Sequence, residues 1–259
     1  MSRINFLLLS FFFLFAFPIL PLFADDVKKP VVTVLLCEEG DEVAHYDAYN
    51  NMPPLMTQLA TENNWDLHIV KSAKYAEMPS LEVLDKTDVL VVYVRRIALP
   101  KAELERLQKY VNDAGKGLVC IRTTCHGFHV NGKYPDTCLD WKGFDQLVLG
   151  GNYYGHGNNE IGSEVWNEKE QEKSAILKDV KPNIWHSNAS VYFNDPVKDD
   201  VTVYQYAASS EKGKMPLTWT RNYGKTRVAY TALGHKTDFP QPQFKNLIRN
   251  LVQWAGDLK

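Results

Sequence analysis

The sequence predicts an α/β fold with a doubly wound, mostly parallel sheet and helices on both faces. Continuous β-branched runs in its first half are typical of strands that are buried on both faces of a parallel sheet. These runs alternate with segments of helical periodicity, and this alternation indicates a doubly wound sheet. The composition, 45% hydrophobic and 23% charged over 259 residues, excludes a disordered, collagen-like or coiled-coil chain.

Strands and helices alternate regularly in the first half. The first helix is predicted to begin at Pro53 and Pro54, because proline favours the first helical turn, and to end at Asn63. A second helix begins at Pro100 and is closed by Gly115. The predicted strands of this half are, in order, residues 31–36, 67–70, 88–93 and 117–121.

The second half has weaker periodicity. Residues 123–200 are rich in glycine and loop-like sequence, which we interpret as an elaborated active-site region rather than a second domain. Three short strands are predicted after it, the last two joined as a hairpin at residues 222–224, and an amphipathic helix follows. The strands are residues 201–206, 217–220 and 226–231, and the helix is residues 244–254.

The amino terminus has the pattern of a secretory signal peptide. Residues 1–24 contain Arg3, no acidic residue and a long apolar run, and Ala24 is a small residue at a plausible cleavage site. We therefore expect a mature chain, residues 25–259, that forms a single domain and is secreted or periplasmic. The alternative is an uncleaved membrane anchor. No membrane association is expected once the signal is removed, because no later segment is apolar enough.

Charge and cysteine content restrict the partners and the covalent structure. The net charge of −2 gives no electrostatic footprint for nucleic acid, so the expected partner is a small molecule or an oligosaccharide. Four cysteines are too few for a disulfide framework in a chain of this size. Cys125 and Cys138 lie in loop-like sequence, and whether they pair is left open.

Polar residues follow the predicted strands at their carboxyl ends, where open α/β sheets bind ligands. Glu42 belongs to an acidic segment after the first strand, and Arg95 and Arg96 follow the third. Arg122 follows the fourth strand, and His235 follows the last. A ligand-binding role is predicted for at least one of the two adjacent arginines.

Residues 117–127 have the form of a nucleophile elbow, an apolar strand that leads directly into a tight turn. The residue at the turn is Arg122. An arginine keeps its proton at working pH and cannot act as a nucleophile. This turn is therefore predicted to bind a ligand non-covalently and not to form a covalent bond with it.

Three histidines, His126, His156 and His235, stand beside glycines, where a ligand or a backbone can approach closely. His126 and His129 are three residues apart and can share a face, so zinc is one possible cofactor, through His126, His129 or His156. No established zinc motif accompanies them. The sequence does not identify a cofactor.

Four motifs together resemble the ThuA-like (trehalose utilisation) family of the class I glutamine amidotransferase-like superfamily, and most of all its secreted branch. They are residues 94–100, 117–126, 144–156 and 216–235. The resemblance implies a flavodoxin-like fold and a link to carbohydrate metabolism. It also places Arg122 where the superfamily's glutaminases have cysteine, His235 at the triad histidine and Thr237 at the triad acid. Asp238 lies one residue beyond. Glutaminase activity is therefore not expected.

Two functions remain open. In the first, the protein is an enzyme that acts on a sugar or keto-sugar by histidine-mediated proton transfer, with His235, His126 and Arg122 as the catalytic residues. In the second, it is a non-catalytic carbohydrate-binding module. In either case, the predicted substrate-binding residues are Arg95, Arg96, His156, Tyr153 and Glu42. Histidines at several strand ends favour the enzyme, because a binding module needs no group that titrates near neutral pH.

Overall fold

A computed structural model describes residues 28–38, 45–72, 78–209 and 212–258. The predicted signal peptide, residues 1–24, and the candidate Glu42 lie outside these residues. The strands are β1 (Val31–Cys37), β2 (Asp66–Ser72), β3 (Val89–Tyr93), β4 (Leu99–Pro100), β5 (Gly117–Ile121), β6 (Cys138–Leu139), β7 (Gly155–His156), β8 (Ser163–Asn167), β9 (Ile184–Ser187), β10 (Tyr192–Phe193), β11 (Thr202–Ser209), β12 (Gly213–Tyr223) and β13 (Thr226–Thr231). The α-helices are α1 (Ala48–Asn63), α2 (Lys101–Asp113) and α3 (Pro242–Gly256).

The central sheet has nine strands in the order β2-β1-β3-β5-β13-β12-β11-β8-β9. The first five are parallel to one another, and each later pair is antiparallel. β11 and β9 therefore point the same way as the five parallel strands, and only β12 and β8 run against them. The α/β prediction with a mostly parallel sheet is confirmed. The parallel part has the flavodoxin-type order, whose topological switch point lies between β1 and β3.

The core forms where the sequence is continuously apolar. Every residue of β1, β3 and β5 is buried, as expected for strands covered on both faces. Helix α3 contacts β3, β5 and β13, and it buries Phe244, Leu247, Ile248 and Leu251 at helical spacing. Burial of such side chains contributes about 1.5–3 kcal/mol each, and it fixes the strand ends that carry the candidate site.

Helix α1 begins earlier than predicted. It starts at Ala48, so that Pro53 and Pro54 lie inside the helix instead of at its start. The additional turn forms because the backbone N–H of Asn51 donates to the Asp47 carbonyl at 3.0 Å. The side-chain amides of Asn50 and Asn51 also donate to the Asp47 carboxylate. This polar cluster extends the helix beyond the point at which the prolines were expected to begin it.

The middle of the chain contains sheet strands that its sequence did not predict. β8 and β9, both within residues 123–200, extend the sheet beyond β11. β11 and β12 are also longer than the predicted strands, and the hairpin turn between β12 and β13 is Gly224-Lys225, since Tyr223 pairs with Thr226. Irregular register between β11 and β12 obscures the expected alternation.

Cys125 and Cys138 do not form a disulfide, and the other two cysteines are thiols as well. All four are buried, so the thiols serve as small core side chains. Among the helices in the described ranges, none combines the length and the apolar character that crossing a membrane requires.

Candidate active site

Arg96 and Arg122 occupy unusual backbone conformations at the carboxyl ends of two neighbouring parallel strands. Arg122 directly follows β5 with a φ of 45°, and Arg96 lies beyond β3 with a φ of 48°. Residues other than glycine seldom adopt this left-handed region, and such strain concentrates at functional sites. The tight turn predicted at Arg122 is therefore present in the structure.

Threonine hydroxyls hold the two strand ends together. The Thr124 hydroxyl donates to the Val92 carbonyl at 2.8 Å, and the Thr123 hydroxyl donates to the Val94 carbonyl at 2.9 Å. Gly127 lies so close to Val94 that a Cβ on it would be 2.8 Å from the Val94 carbonyl oxygen. These contacts leave the turn after β5 little room to relax, and they fix the backbone of the following residues.

The Arg122 side chain is directed into the protein. It is 1% exposed, and its guanidinium lies 4.9 Å from the Tyr46 ring centroid and 4.3 Å from that of Tyr192. The guanidinium donates to the Ala232 carbonyl at 2.6 Å and to the Ser190 hydroxyl at 3.1 Å. Among the described residues, no carboxylate is within ion-pair distance of it. Arg122 is thus a buried cation that rings and carbonyls surround.

The charge of Arg122 persists despite this burial. Burial acts to lower the pKa of the guanidinium, but interactions with Tyr192, Tyr46, Tyr93 and Asp238 outweigh burial and raise the pKa above its usual range. The fixed positive charge also contributes to lowering the pKa of two neighbouring histidines, His126 and His235.

His126 lies on the turn after β5 and is 9% exposed. Its ring stacks on Tyr153 with a centroid distance of 4.6 Å and an angle of 28°. Its Nδ1 is 3.3 Å from the Cys125 sulfur, which leaves Nε2 for a ligand. Burial, followed by the charges of Arg96, Arg95 and Arg122, holds the pKa of His126 well below its usual value. The imidazole is therefore neutral at physiological pH.

A cavity of about 340 Å³ opens beside His126, a size at the lower end of the range for small-molecule sites. Aromatic and cationic side chains predominate in its wall, and Asp145 is the only carboxyl group that the described residues contribute to it. The lining residues are Arg96, Cys125, His126, Phe128, His129, Asn131, Trp141, Lys142, Gly143, Phe144, Asp145, Gln146, Tyr153 and Tyr154.

Asp145 was not among the residues predicted from the sequence. Its carboxyl is buried, and Oδ2 accepts the backbone N–H of Tyr153 at 2.7 Å, whereas Oδ1 is buried without a hydrogen-bond partner. Burial raises the pKa of Asp145 to about 7, although the Tyr153 hydrogen bond acts to lower it. The one sequence feature that could have pointed to Asp145 is its position as an acidic residue inside the apolar motif of residues 144–156. That position alone does not indicate a catalytic role.

His235 follows β13 but does not line this cavity. Its Nδ1 accepts the backbone N–H of Thr237 at 3.2 Å and lies 2.8 Å from the Thr237 hydroxyl. Asp238 instead accepts the backbone N–H of His235 at 3.0 Å, so it orients the main chain and not the ring. Burial, with the charges of Arg122, His45 and Lys236, lowers the pKa of His235 to about 4.

The structure brings three of the predicted site residues, Arg96, His126 and Tyr153, to one cavity. Arg122 and His235 are buried outside its wall, and Arg95 is also absent from the wall. His156 is exposed, with Nδ1 2.8 Å from the Gly157 carbonyl oxygen, and its ring centroid is 6.2 Å from that of Tyr192.

Zinc binding gains no support from these positions. His126 and His129 both line the cavity. Across the described ranges, however, no three histidine, cysteine, aspartate or glutamate side chains are grouped so that they could hold a metal ion.

Comparisons with known proteins identify both a family and a shared fold. A family model described as ThuA, trehalose utilisation, matches residues 33–255. A ThuA-like protein from Bacteroides uniformis ATCC 8492 superposes with a TM-score of 0.64 at 17% identity, over 93% of this chain and 95% of its own. For a ThuA-like protein from Parabacteroides merdae ATCC 43184, the TM-score is 0.59 at 17% identity, over 88% of this chain and 90% of the Parabacteroides chain.

A β-galactosidase from Rahnella sp. R3 also shares the fold. Its TM-score is 0.57 at 14% identity, and the match covers 89% of this chain but only 32% of the galactosidase chain. No curated protein matches the chain.

Proposed function

The chain belongs to the ThuA family, which is described by trehalose utilisation, and on this premise we propose that it is a carbohydrate-active enzyme that transfers protons on a sugar or keto-sugar. As parts of the same proposal, we assign it to the secreted branch of the ThuA-like family, within the class I glutamine amidotransferase-like superfamily, and expect no glutaminase activity. The amino-terminal sequence of exported protein, expected to begin at Asp25, tests the assignment to the secreted branch.

The observation that carries the proposal is a neutral histidine in the wall of a cavity at the carboxyl end of the sheet. His126 lines the cavity, and its low pKa keeps a neutral imidazole there at physiological pH. A neutral imidazole can exchange a proton with a bound ligand at Nε2, and a positioned acid–base group typically contributes about 100- to 10,000-fold to a rate. A module that only binds sugar has no need of such a group.

The cavity wall also suits a carbohydrate. Trp141, Tyr153 and Tyr154 supply amphipathic rings on which the apolar face of a sugar can stack. Asn131 and Gln146 supply amides that can bond to sugar hydroxyls. The β-galactosidase among the fold relatives is consistent with this substrate class, although the likeness is one of fold alone.

Tyr154→Ala is expected to weaken sugar binding about tenfold, as truncation of a contact residue at a binding site does. The Tyr154 side chain is 52% exposed, so its removal should leave the fold intact. Calorimetric titration with a panel of monosaccharides, disaccharides and keto-sugars measures the change. Tyr206→Ala on β11, outside the cavity wall, is the matched control and should bind as the wild type does.

Equal affinity in the wild type and in Tyr154→Ala would contradict the cavity assignment. Binding without any turnover would favour the carbohydrate-binding module.

No ammonia is expected from glutamine, because Arg122 occupies the turn where an attacking thiolate would have to stand. Cys125 does not replace it, since burial raises the pKa of its thiol well above the usual value. A coupled ammonia assay measures this directly. Ammonia release that disappears in Cys125→Ser would show that the assignment is wrong.

A further inference from the structure

Resting on the proposed function, we propose that Asp145 is the base that removes a proton from carbon in this cavity, with His126 serving the substrate oxygens. The substrate class is then a sugar that carries a carbonyl next to a CHOH group. The reaction class is a 1,2-proton shift, which isomerises or epimerises such a sugar.

Tyr153 contacts both Asp145 and His126 and so fixes their relative position. Tyr153 donates its backbone N–H to Asp145 Oδ2 at 2.7 Å, and its ring stacks on His126 at 4.6 Å. Asp145 and His126 therefore form two parts of one wall, with Tyr153 between them. An acid–base pair in a single cavity is the arrangement that a proton shift between neighbouring atoms requires.

Asp145 also has an oxygen to which no residue of the described ranges donates a hydrogen bond. Oδ1 is buried and lacks a hydrogen-bond partner in the structure. A Cβ on Gly151 would collide with Oδ1, so the glycine at this position leaves room for the carboxyl. A buried polar atom without a partner is rare in proteins, and such atoms recur at catalytic groups.

The proton shift balances without any additional reactant. Asp145 takes the proton from the CHOH carbon, and the C–H electron pair becomes the C=C bond of an enediol. The C=O π electrons move to the carbonyl oxygen, which receives the Nε2 proton of His126. His126 then takes the proton of the other hydroxyl, whose electrons re-form C=O, and Asp145 returns its proton to the former carbonyl carbon.

The protonation states suit these roles near neutral pH. Burial raises the pKa of Asp145 to about 7, so that it is largely ionised above that pH and is a stronger base than an ordinary aspartate. His126 stays neutral over the same range. Cys120, Cys125 and Tyr230 lie near Asp145, and burial holds each of them in its neutral form at this pH. Arg96, His129, Lys142 and Tyr153 line the same cavity. Turnover should therefore rise with pH through about 7.

The first test needs no substrate. The difference infrared spectrum between the wild type and Asp145→Asn, recorded from pH 4 to pH 9, isolates the Asp145 carboxyl stretch. We expect the protonated band to disappear with a midpoint near the pKa of about 7. A midpoint near pH 4 would show that Asp145 is an ordinary carboxylate and would overturn the proposal.

The second test follows proton exchange at carbon. Wild-type protein is incubated in D2O with D-fructose, D-allulose and methyl 3-keto-glucoside, and deuterium uptake at the carbon next to the carbonyl is followed by NMR. Asp145→Asn should slow uptake at least about 100-fold and leave sugar affinity within a factor of about three, since Asn retains an acceptor for the Tyr153 N–H. Asp140→Asn is the matched control, because Asp140 is a nearby carboxylate outside the wall.

The outcomes separate this inference from the proposed function. Exchange that is lost in Asp145→Asn and retained in Asp140→Asn supports both. Exchange that is equal in the wild type and in Asp145→Asn overturns the role of Asp145 and leaves the proposed function standing. No exchange and no binding with any sugar of the panel overturns both.

Discussion

His126→Gln is expected to lower turnover of a keto-sugar about 100- to 10,000-fold, which is the usual contribution of a positioned acid–base group. Glutamine has no group that can accept and return a proton, but it can replace the imidazole in hydrogen bonding. The fold should survive, because the ring contributes one stack, with Tyr153, a tilted contact with the Tyr192 ring at 6.0 Å, and one weak contact with the Cys125 sulfur. Single-turnover kinetics measures the rate, and thermal unfolding checks the fold.

His235→Gln is the paired variant. The sequence favours His235 as the proton-transfer residue, whereas the structure places its ring outside the cavity wall, with Nδ1 engaged by Thr237. We therefore expect its turnover to stay within about tenfold of the wild type, well short of the loss of an acid–base group. A larger loss in His235→Gln than in His126→Gln would transfer the catalytic role to His235.

The central strands were predictable because each is apolar along its whole length. β1, β3 and β5 are covered on both faces, so no alternation was needed to recognise them. Helix α2 was predicted from Pro100 and Gly115, and the structure starts it at Lys101, directly after that proline. Where one local rule sufficed, the prediction is confirmed.

Two features of the fold were not predictable from local patterns. β8 alternates buried and partly exposed residues over only five positions, and it becomes a strand because it pairs with β11 and β9. The early start of α1 depends on hydrogen bonds around Asp47, which compete with the preference of proline for the first turn. Strand pairing distant in sequence determined β8, whereas side-chain hydrogen bonds within one helical turn determined the start of α1.

The residues of the candidate site also include some that the sequence predicts and one that it does not. Arg96 and His126 were predicted because they follow β3 and β5, and the carboxyl ends of parallel strands meet at one edge of a sheet. Asp145 was not predicted, because its raised pKa comes from burial. Its one hydrogen bond is with the backbone N–H of Tyr153, eight residues further along the chain. No spacing rule in the sequence indicates that a lone carboxyl will be buried in this way.

Asp238→Ala is expected to lower the free energy of unfolding by about 3–5 kcal/mol, because each buried donor left without a partner costs about 1–3 kcal/mol. The fully buried Asp238 carboxylate accepts the Ser187 hydroxyl at 2.7 Å and the backbone N–H groups of Gly234 and His235 at 2.9 and 3.0 Å. Alanine leaves all three donors unpaired, two at the turn after β13 and one at the end of β9. Urea unfolding measures the loss, with the exposed Asp199→Ala as a control that should change little. A loss below about 1 kcal/mol would mean that water replaces the carboxylate, and the turn that positions His235 would then not depend on Asp238.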